Sequence, residues 1–185
     1  MNVIKTEFAE VFILEPKVFS DNRGYFMESY RDEILNNIAP SFHPVQDNQS
    51  LSRESGVLRG LHYQMAPKGQ AKLLRVLSGA IYDVVVDIRK NSATFGKWQG
   101  FELTAENFRQ LFVPKGFAHG FCTLLPDTVV FYKTDEYYSP EHDRGVFWND
   151  PAIGVKWPIS DPILSEKDMH NPVLSMAENN FVWGE

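Results

Sequence analysis

Two histidines stand in segments built to hold a side chain still. His62 lies in Arg59-Gly60-Leu61-His62-Tyr63-Gln64, and His119 in Val113-Pro114-Lys115-Gly116-Phe117-Ala118-His119-Gly120-Phe121. Both runs alternate as strands do, and both are bordered by glycine. An imidazole on a rigid strand titrates near neutral pH and is a well-placed proton acceptor. The chain also offers what such a base would need: carboxylates, a lysine, tyrosines and several arginines. Taken alone, a strand histidine is more often a satisfied structural group than a base, so residue type does not assign either role.

The elements that must position these groups read as strands. Val11–Leu14, Gly24–Tyr30, Leu73–Leu77, Ile81–Ile88, Gly100–Leu103, Arg109–Val113, Phe117–Leu124 and Thr128–Thr134 carry β-branched and aromatic residues between turn signals. The runs on either side of Ser78-Gly79 are expected to form a hairpin. Asp32–Ile38 is the best helix candidate, with Asp32 as its cap. The last third, with Trp148-Asn149-Asp150-Pro151 and Trp157-Pro158, reads as irregular connections. Many short strands, no repeat and no linker predict one all-β domain over residues 1–185, a sandwich or barrel.

Strand alternation sorts the polar residues by face. His62 goes with Gln64, Lys72 with Leu74, and Asp83 with Ile81 and Val85. His119 goes with Phe121 and Thr123, and Tyr132 with Val130 and Thr134. Titratable groups on apolar strands are costly to bury without partners. Several of them pointing into one cavity would make a site.

Composition narrows the function classes. The 185 residues are 43% hydrophobic and 14% aromatic with net charge −6, which suits a folded domain and disfavours a nucleic-acid surface. One cysteine, Cys122, excludes an intrachain disulfide and a Cys-rich zinc site, and its apolar neighbours predict a buried, inert thiol. No apolar run approaches the ~20 residues that span a bilayer. The N-terminus lacks a signal-peptide layout, so a cytoplasmic protein without membrane partners is expected. His43, His142 and His170 lie in polar or Pro-bordered segments and are expected at the surface.

In this order, several segments resemble the dTDP-4-dehydrorhamnose 3,5-epimerase family. They are Asp21-Asn22-Arg23-Gly24, Phe26-Met27-Glu28-Ser29, Gln46-Asp47-Asn48, Arg59-Gly60-Leu61-His62, Asp83-Val84-Val85-Val86-Asp87, Pro114–Gly120, Trp148–Pro151 and Leu164-Ser165-Glu166-Lys167-Asp168. The resemblance runs from about Lys5 to Asp168. It implies a cupin-like β-jelly roll with short helices, usually a homodimer. It implies epimerisation of a dTDP-4-ketosugar at C3 and C5, with no cofactor and no metal.

The resemblance also implies roles. His62 would be the base, Asp168 its carboxylate partner, Tyr132 the acid on the opposite face, and Lys72 the cation near the enolate oxygen. His119 and Asp83 would pair beside the sugar. Arg23 and Arg59 would hold the diphosphate, while Glu28, Gln46 and Asn48 would bind near the nucleoside. Phe19, Phe26 and Tyr138 are candidate stackers on the base. The segment from Arg23 to Glu28 is expected to reach a partner subunit's site.

Other readings stand beside these. Asp150 and Asp161 share the irregular region with Asp168, and Tyr63, Tyr137 and Tyr138 compete with Tyr132. Lys72 could be a rim lysine, Arg23 a turn residue and Asp83 a purely structural acceptor. A metal-binding cupin would present two histidines one residue apart, whereas His62 is followed by Tyr63-Gln64. A relative that inverts one carbon only, or shifts the ketone, and a non-catalytic sugar-nucleotide binder are the remaining alternatives.

Overall fold

A computed structural model of the chain describes residues 1–184. In chain order the elements are β1 (Asn2–Lys5), β2 (Phe12–Glu15), β3 (Val18–Asp21), β4 (Gly24–Met27), α1 (Asp32–Ile38), β5 (Gln46–Ser52), β6 (Leu58–Gln64) and β7 (Lys72–Ser78). Then follow β8 (Ala80–Asp87), β9 (Trp98–Thr104), β10 (Gln110–Val113), β11 (Phe117–Thr123), β12 (Thr128–Thr134), β13 (Asp143–Gly145) and α2 (Glu166–Met169).

Two antiparallel sheets face each other as a cupin-like jelly roll. One has the order β1-β2-β10-β7-β12-β5 and the other β13-β6-β11-β8-β9, while β3 and β4 pair by themselves as a hairpin. Leu74, Val76, Leu111, Val113 and Val130 from the first sheet meet Ile81, Val85, Phe101, Leu103, Phe117 and Phe121 from the second. Burying such side chains is worth roughly 1.5–3 kcal/mol each. The inward positions are the ones that period-two alternation picks out.

Both sheets are also covered on their outer faces. Helix α1 closes the first sheet through Leu35, and Ala39 just after it, which pack with Leu14, Leu73 and Phe112. The irregular C-terminal segment closes the second, where Val146, Ile153 and Val155 pack on Leu61, Val84, Val86 and Ala118. Apart from Asp83 and Asp87, strand β8 is therefore largely apolar on both sides, as a doubly covered strand requires. The described residues include no helix long and apolar enough to cross a membrane.

Two local expectations are corrected. The strands flanking Ser78-Gly79 do not pair: β7 hydrogen-bonds β10 and β12, while β8 hydrogen-bonds β9 and β11. The turn carries the chain from one sheet to the other, which gives each strand a partner on both edges. Asp32 is not a cap. Arg31 occupies that position without a side-chain bond, and Asp32 begins the helix. There it accepts from Asn36 Nδ2 at 2.6 Å and places negative charge at the positive helix end.

The glycines beside the two histidines have a steric cause. Strands β6 and β11 pair His62 with His119, and the register shifts between His119 and Phe121. At that point Gly60 and Gly120 nearly touch. A Cβ on Gly120 would lie 2.7 Å from the Arg59 carbonyl and 3.0 Å from Gly60 Cα. Gly120→Ala should therefore cost about 1–3 kcal/mol of stability by forcing these strands apart. Urea unfolding of the two proteins checks this, and an unchanged midpoint would refute the close-approach argument.

Candidate active site

Between the sheets, at one end, a cavity of about 470 Å³ is lined by Arg59 and His62 of β6, Lys72 and Leu74 of β7, His119 and Phe121 of β11, and Val130 and Tyr132 of β12. Ser50 of β5 and the segment Ile163–Ser165, with Asp168 of α2, complete the wall. The side chains enter on the faces that alternation assigned. Lys72 and Leu74 point the same way, as do His119 with Phe121 and Val130 with Tyr132. The registers set their depth: His119 opposes His62 and Val85, and Tyr132 opposes Leu74 and Asn48.

Two histidine–carboxylate pairs stand here. His62 Nε2 lies 2.5 Å from Asp168 Oδ1. The carboxylate is buried, while the imidazole remains about one-third exposed to the cavity. Burial pushes the Asp168 carboxyl upward, but the hydrogen bonds from His62 and Ser165, with the charges of His62 and Lys167, outweigh it and hold the group below the usual carboxylate range. Asp168 thus stays ionised beside the imidazole. Asp150, the rival candidate, instead accepts the backbone N–H groups of Ala152 and Leu174 at 2.8 and 2.7 Å. Asp161 is exposed.

The second pair lies deeper. His119 Nε2 approaches both oxygens of Asp83, at 3.0 and 2.9 Å, and Asp83 is fully buried. Desolvation raises the Asp83 carboxyl, and His119 and Lys72 only partly offset it. Burial pulls Lys72 down to about 8, against the charges of Asp83 and Asp143. Burial also raises the Tyr132 phenol, with Asp143 adding to the effect and Arg59 opposing it. Tyr132 therefore holds its proton at neutral pH and can donate it.

A smaller neighbouring cavity of about 230 Å³ shares His62, Lys72 and Tyr132 and adds Gln46, Asn48, Tyr138, Asp143 and Lys167. Gln46 Nε2 donates to Asn48 Oδ1 at 2.9 Å, and Tyr138 Oη to Asp143 Oδ2 at 3.1 Å. The two cavities together bring ten of the expected residues close to one another, counting Asp83 behind His119. Arg23, Glu28, Phe19 and Phe26 line neither cavity. Arg23 is 85% exposed and paired with Asp21, Glu28 is paired with Arg31, and Phe19 and Phe26 are 54% and 71% exposed on the β3–β4 hairpin.

Other expectations resolve plainly. Cys122 is buried and its thiol is pushed up to about 11, an inert group. His43 and His170 are exposed, whereas His142 is half-buried, with Nδ1 2.8 Å from Ser139 Oγ. Among the described residues, no three His, Cys, Asp or Glu side chains gather closely enough to hold a metal ion. Sequence reasoning gave no role to Ser165, Asp143 or Lys167. Ser165 and Asp168 show the three-residue spacing of a helix cap, which was a readable signal. Asp143 and Lys167, joined at 2.5 Å, carried none.

The sequence model for dTDP-4-dehydrorhamnose 3,5-epimerase matches residues 5–176. A protein of that name from Shigella flexneri is 52% identical, over 92% of this chain and 94% of its own length. A crystal structure of dTDP-4-dehydrorhamnose 3,5-epimerase from Bacillus anthracis with TDP and PPi bound superposes with TM-score 0.90 at 55% identity, covering 93% of this chain and 98% of that one. A Legionella pneumophila dTDP-6-deoxy-D-glucose-3,5-epimerase in complex with dTDP-4-keto-L-rhamnose superposes with TM-score 0.90 at 43% identity, covering 95% and 93%.

The depressed Lys72 has a measurable consequence for stability. Its pKa falls from 10.5 when exposed to about 8 in the fold, so the folded state binds fewer protons across that window and stability rises with pH there. Below about 8 the full penalty applies. Lys72→Met should be more stable than the wild type at pH 7, by about 1 kcal/mol or more. The gap should close as pH climbs from about 8 towards 10.5. Chemical denaturation at several pH values checks this, and a pH-independent gap would contradict it.

Proposed function

The chain belongs to the dTDP-4-dehydrorhamnose 3,5-epimerase family, and from that premise we propose that it inverts C3 and C5 of dTDP-4-dehydro-6-deoxy-D-glucose to give dTDP-4-dehydro-L-rhamnose for dTDP-L-rhamnose biosynthesis. Both carbons flank the C4 ketone, so removing either proton gives an enolate whose charge rests on the C4 oxygen. Such a step needs a base on one face, an acid on the other, and a cation or donor at the oxygen.

One observation carries the reading: the His62–Asp168 pair, Lys72 and Tyr132 share the wall of a single cavity. In this scheme His62 removes the proton, and Asp168 steadies the imidazolium. Lys72 faces the developing enolate oxygen. Tyr132, still protonated at neutral pH, returns a proton from the other side. His119, held by Asp83, lies beside the sugar, and Arg59 offers its guanidinium fork to the diphosphate. Gln46, Asn48 and Tyr138 in the adjoining cavity receive the nucleoside, with Tyr138 stacking on the base.

We also propose a homodimer in which the β3–β4 hairpin carries Arg23 and Glu28, with Phe19 and Phe26, into the second copy's site. The supporting observation is that these residues line neither of the two cavities that hold His62 and leave two large aromatic rings in solvent. Residues 1–185 serve as one catalytic domain, and the cytoplasm is the proposed compartment for a reaction on a soluble nucleotide sugar.

In D2O, proton NMR with dTDP-4-dehydro-6-deoxy-D-glucose should show deuterium entering at both C3 and C5. Deuterium at one carbon only would replace the reading with a single epimerisation, and no exchange would leave a ketone-shifting enzyme or a binding protein. His62→Ala should lose about 10²–10⁴-fold in turnover while still binding substrate. Tyr132→Phe should still exchange the substrate protons but invert slowly at one or both carbons. Chelator treatment is expected to leave turnover intact. Sedimentation equilibrium should return twice the chain mass, and a monomer that turns over at the full rate would overturn the shared-site proposal.

A further inference from the structure

Asp168 has two oxygens, and the scheme above uses one. Oδ1 meets His62 Nε2 at 2.5 Å, and Oδ2 accepts the hydroxyl of Ser165 at 2.8 Å. Ser165 Oγ in turn accepts the backbone N–H of Asp168 at 3.2 Å. With Oγ engaged by that N–H, the hydroxyl proton is directed at the carboxylate. Hydroxyl, carboxylate and main chain close a small ring that holds the Asp168 side chain in one orientation.

The ring is tied to the strand that carries the histidine. Ile163, two residues before Ser165, donates its N–H to the Gly56 carbonyl at 2.9 Å and accepts the N–H of Leu58 at 3.0 Å. Leu58 opens β6, on which His62 sits four residues later. The two halves of the pair are thus placed from one stretch of backbone. Helix α2 itself is only four residues long, too short for a cap to contribute much helix stability on its own. Ser165 also reaches the wall of the main cavity.

We propose that Ser165 is a positioning residue for the epimerisation: by gripping one oxygen of Asp168 it aims the other at His62. The inference rests on the reading of His62 as the base. A carboxylate with a free second oxygen is both looser and more basic, and a more basic partner keeps the histidine protonated to higher pH. The lowered carboxyl of Asp168, to which the Ser165 bond contributes, agrees in direction. The other titratable or charged groups around the pair are Lys167 of α2, Asp143 of β13, Arg59 of β6, Lys72 of β7, Tyr132 of β12 and His119 of β11. Substituting Ser165 removes none of them.

Ser165→Gly tests the proposal, because glycine is tolerated at a helix cap while the hydroxyl that donates to Asp168 Oδ2 and accepts its N–H is removed. The expected result is a fall in kcat of about 10–100-fold with little change in KM. The acidic limb of kcat/KM should move up by about half a pH unit or more, and the His62 imidazole, titrated by NMR, should move with it. Ser165→Thr should restore both, and Ser165→Cys, a weaker donor of similar shape, should fall between. A loss of activity with the limb and the His62 titration unmoved would make Ser165 a structural cap only and overturn the proposal. So would unchanged kcat. His62→Ala, measured alongside, separates the two ideas. Turnover persisting there would sink the base assignment, while the His62 titration in Ser165→Gly, read without turnover, would still decide the positioning role.

Discussion

The gap between the two sheets is a low-dielectric space, and any charge admitted to it must find a partner. Most of the molecule answers by admitting none: the facing side chains are aliphatic or aromatic along nearly the whole length of both sheets. At one end the rule changes. There Asp83 is matched to His119, and Asp168 is matched to His62 and Ser165. Lys72 receives only the field of nearby carboxylates and keeps a weakened hold on its proton. The cavity exists because polar groups that must pair cannot also pack as an apolar core does. Its chemistry follows from the same fact, since groups paired in a dry space take pKa values set by their neighbours.

Much of this was legible in the sequence because strand geometry has a period of two. Once β8, β11 and β12 are read as strands, Asp83 must face with Ile81 and Val85, His119 with Phe121, and Tyr132 with Val130. The structure keeps all three. The all-β class was legible for the same reason. What local pattern could not supply was which strand lies beside which. Ser78-Gly79 looks like a hairpin turn, yet the chain crosses there between sheets, a choice made by distant edges seeking partners. β5, Gln46-Asp47-Asn48-Gln49-Ser50-Leu51-Ser52, is too polar to read as a strand by itself. It is one because β12 offers it a full ladder of hydrogen bonds.

Asp168 marks the limit most clearly. Three aspartates lie in the irregular region, and nothing local separates them. Asp150 holds backbone amides, Asp161 faces solvent, and Asp168 alone reaches the imidazole. Only the resemblance to a known family picked it out, and the contact that distinguishes it spans 106 residues of sequence. The β3–β4 hairpin poses the opposite case. Its residues were readable as a group from the family pattern, but within one chain Arg23, Glu28, Phe19 and Phe26 line neither cavity that holds His62.

The C-terminal cover over the five-stranded sheet has a consequence for the order in which this molecule becomes chemically competent. The segment that shields Val84, Val86 and Ala118 from water also delivers the carboxylate for His62. With 106 residues between the imidazole and the carboxylate, the pair is complete only once this segment is docked. The contact that completes the pair and the packing that covers the five-stranded sheet belong to the same segment. Lifting that one segment would therefore bare the outer face of the sheet and unpair His62 together.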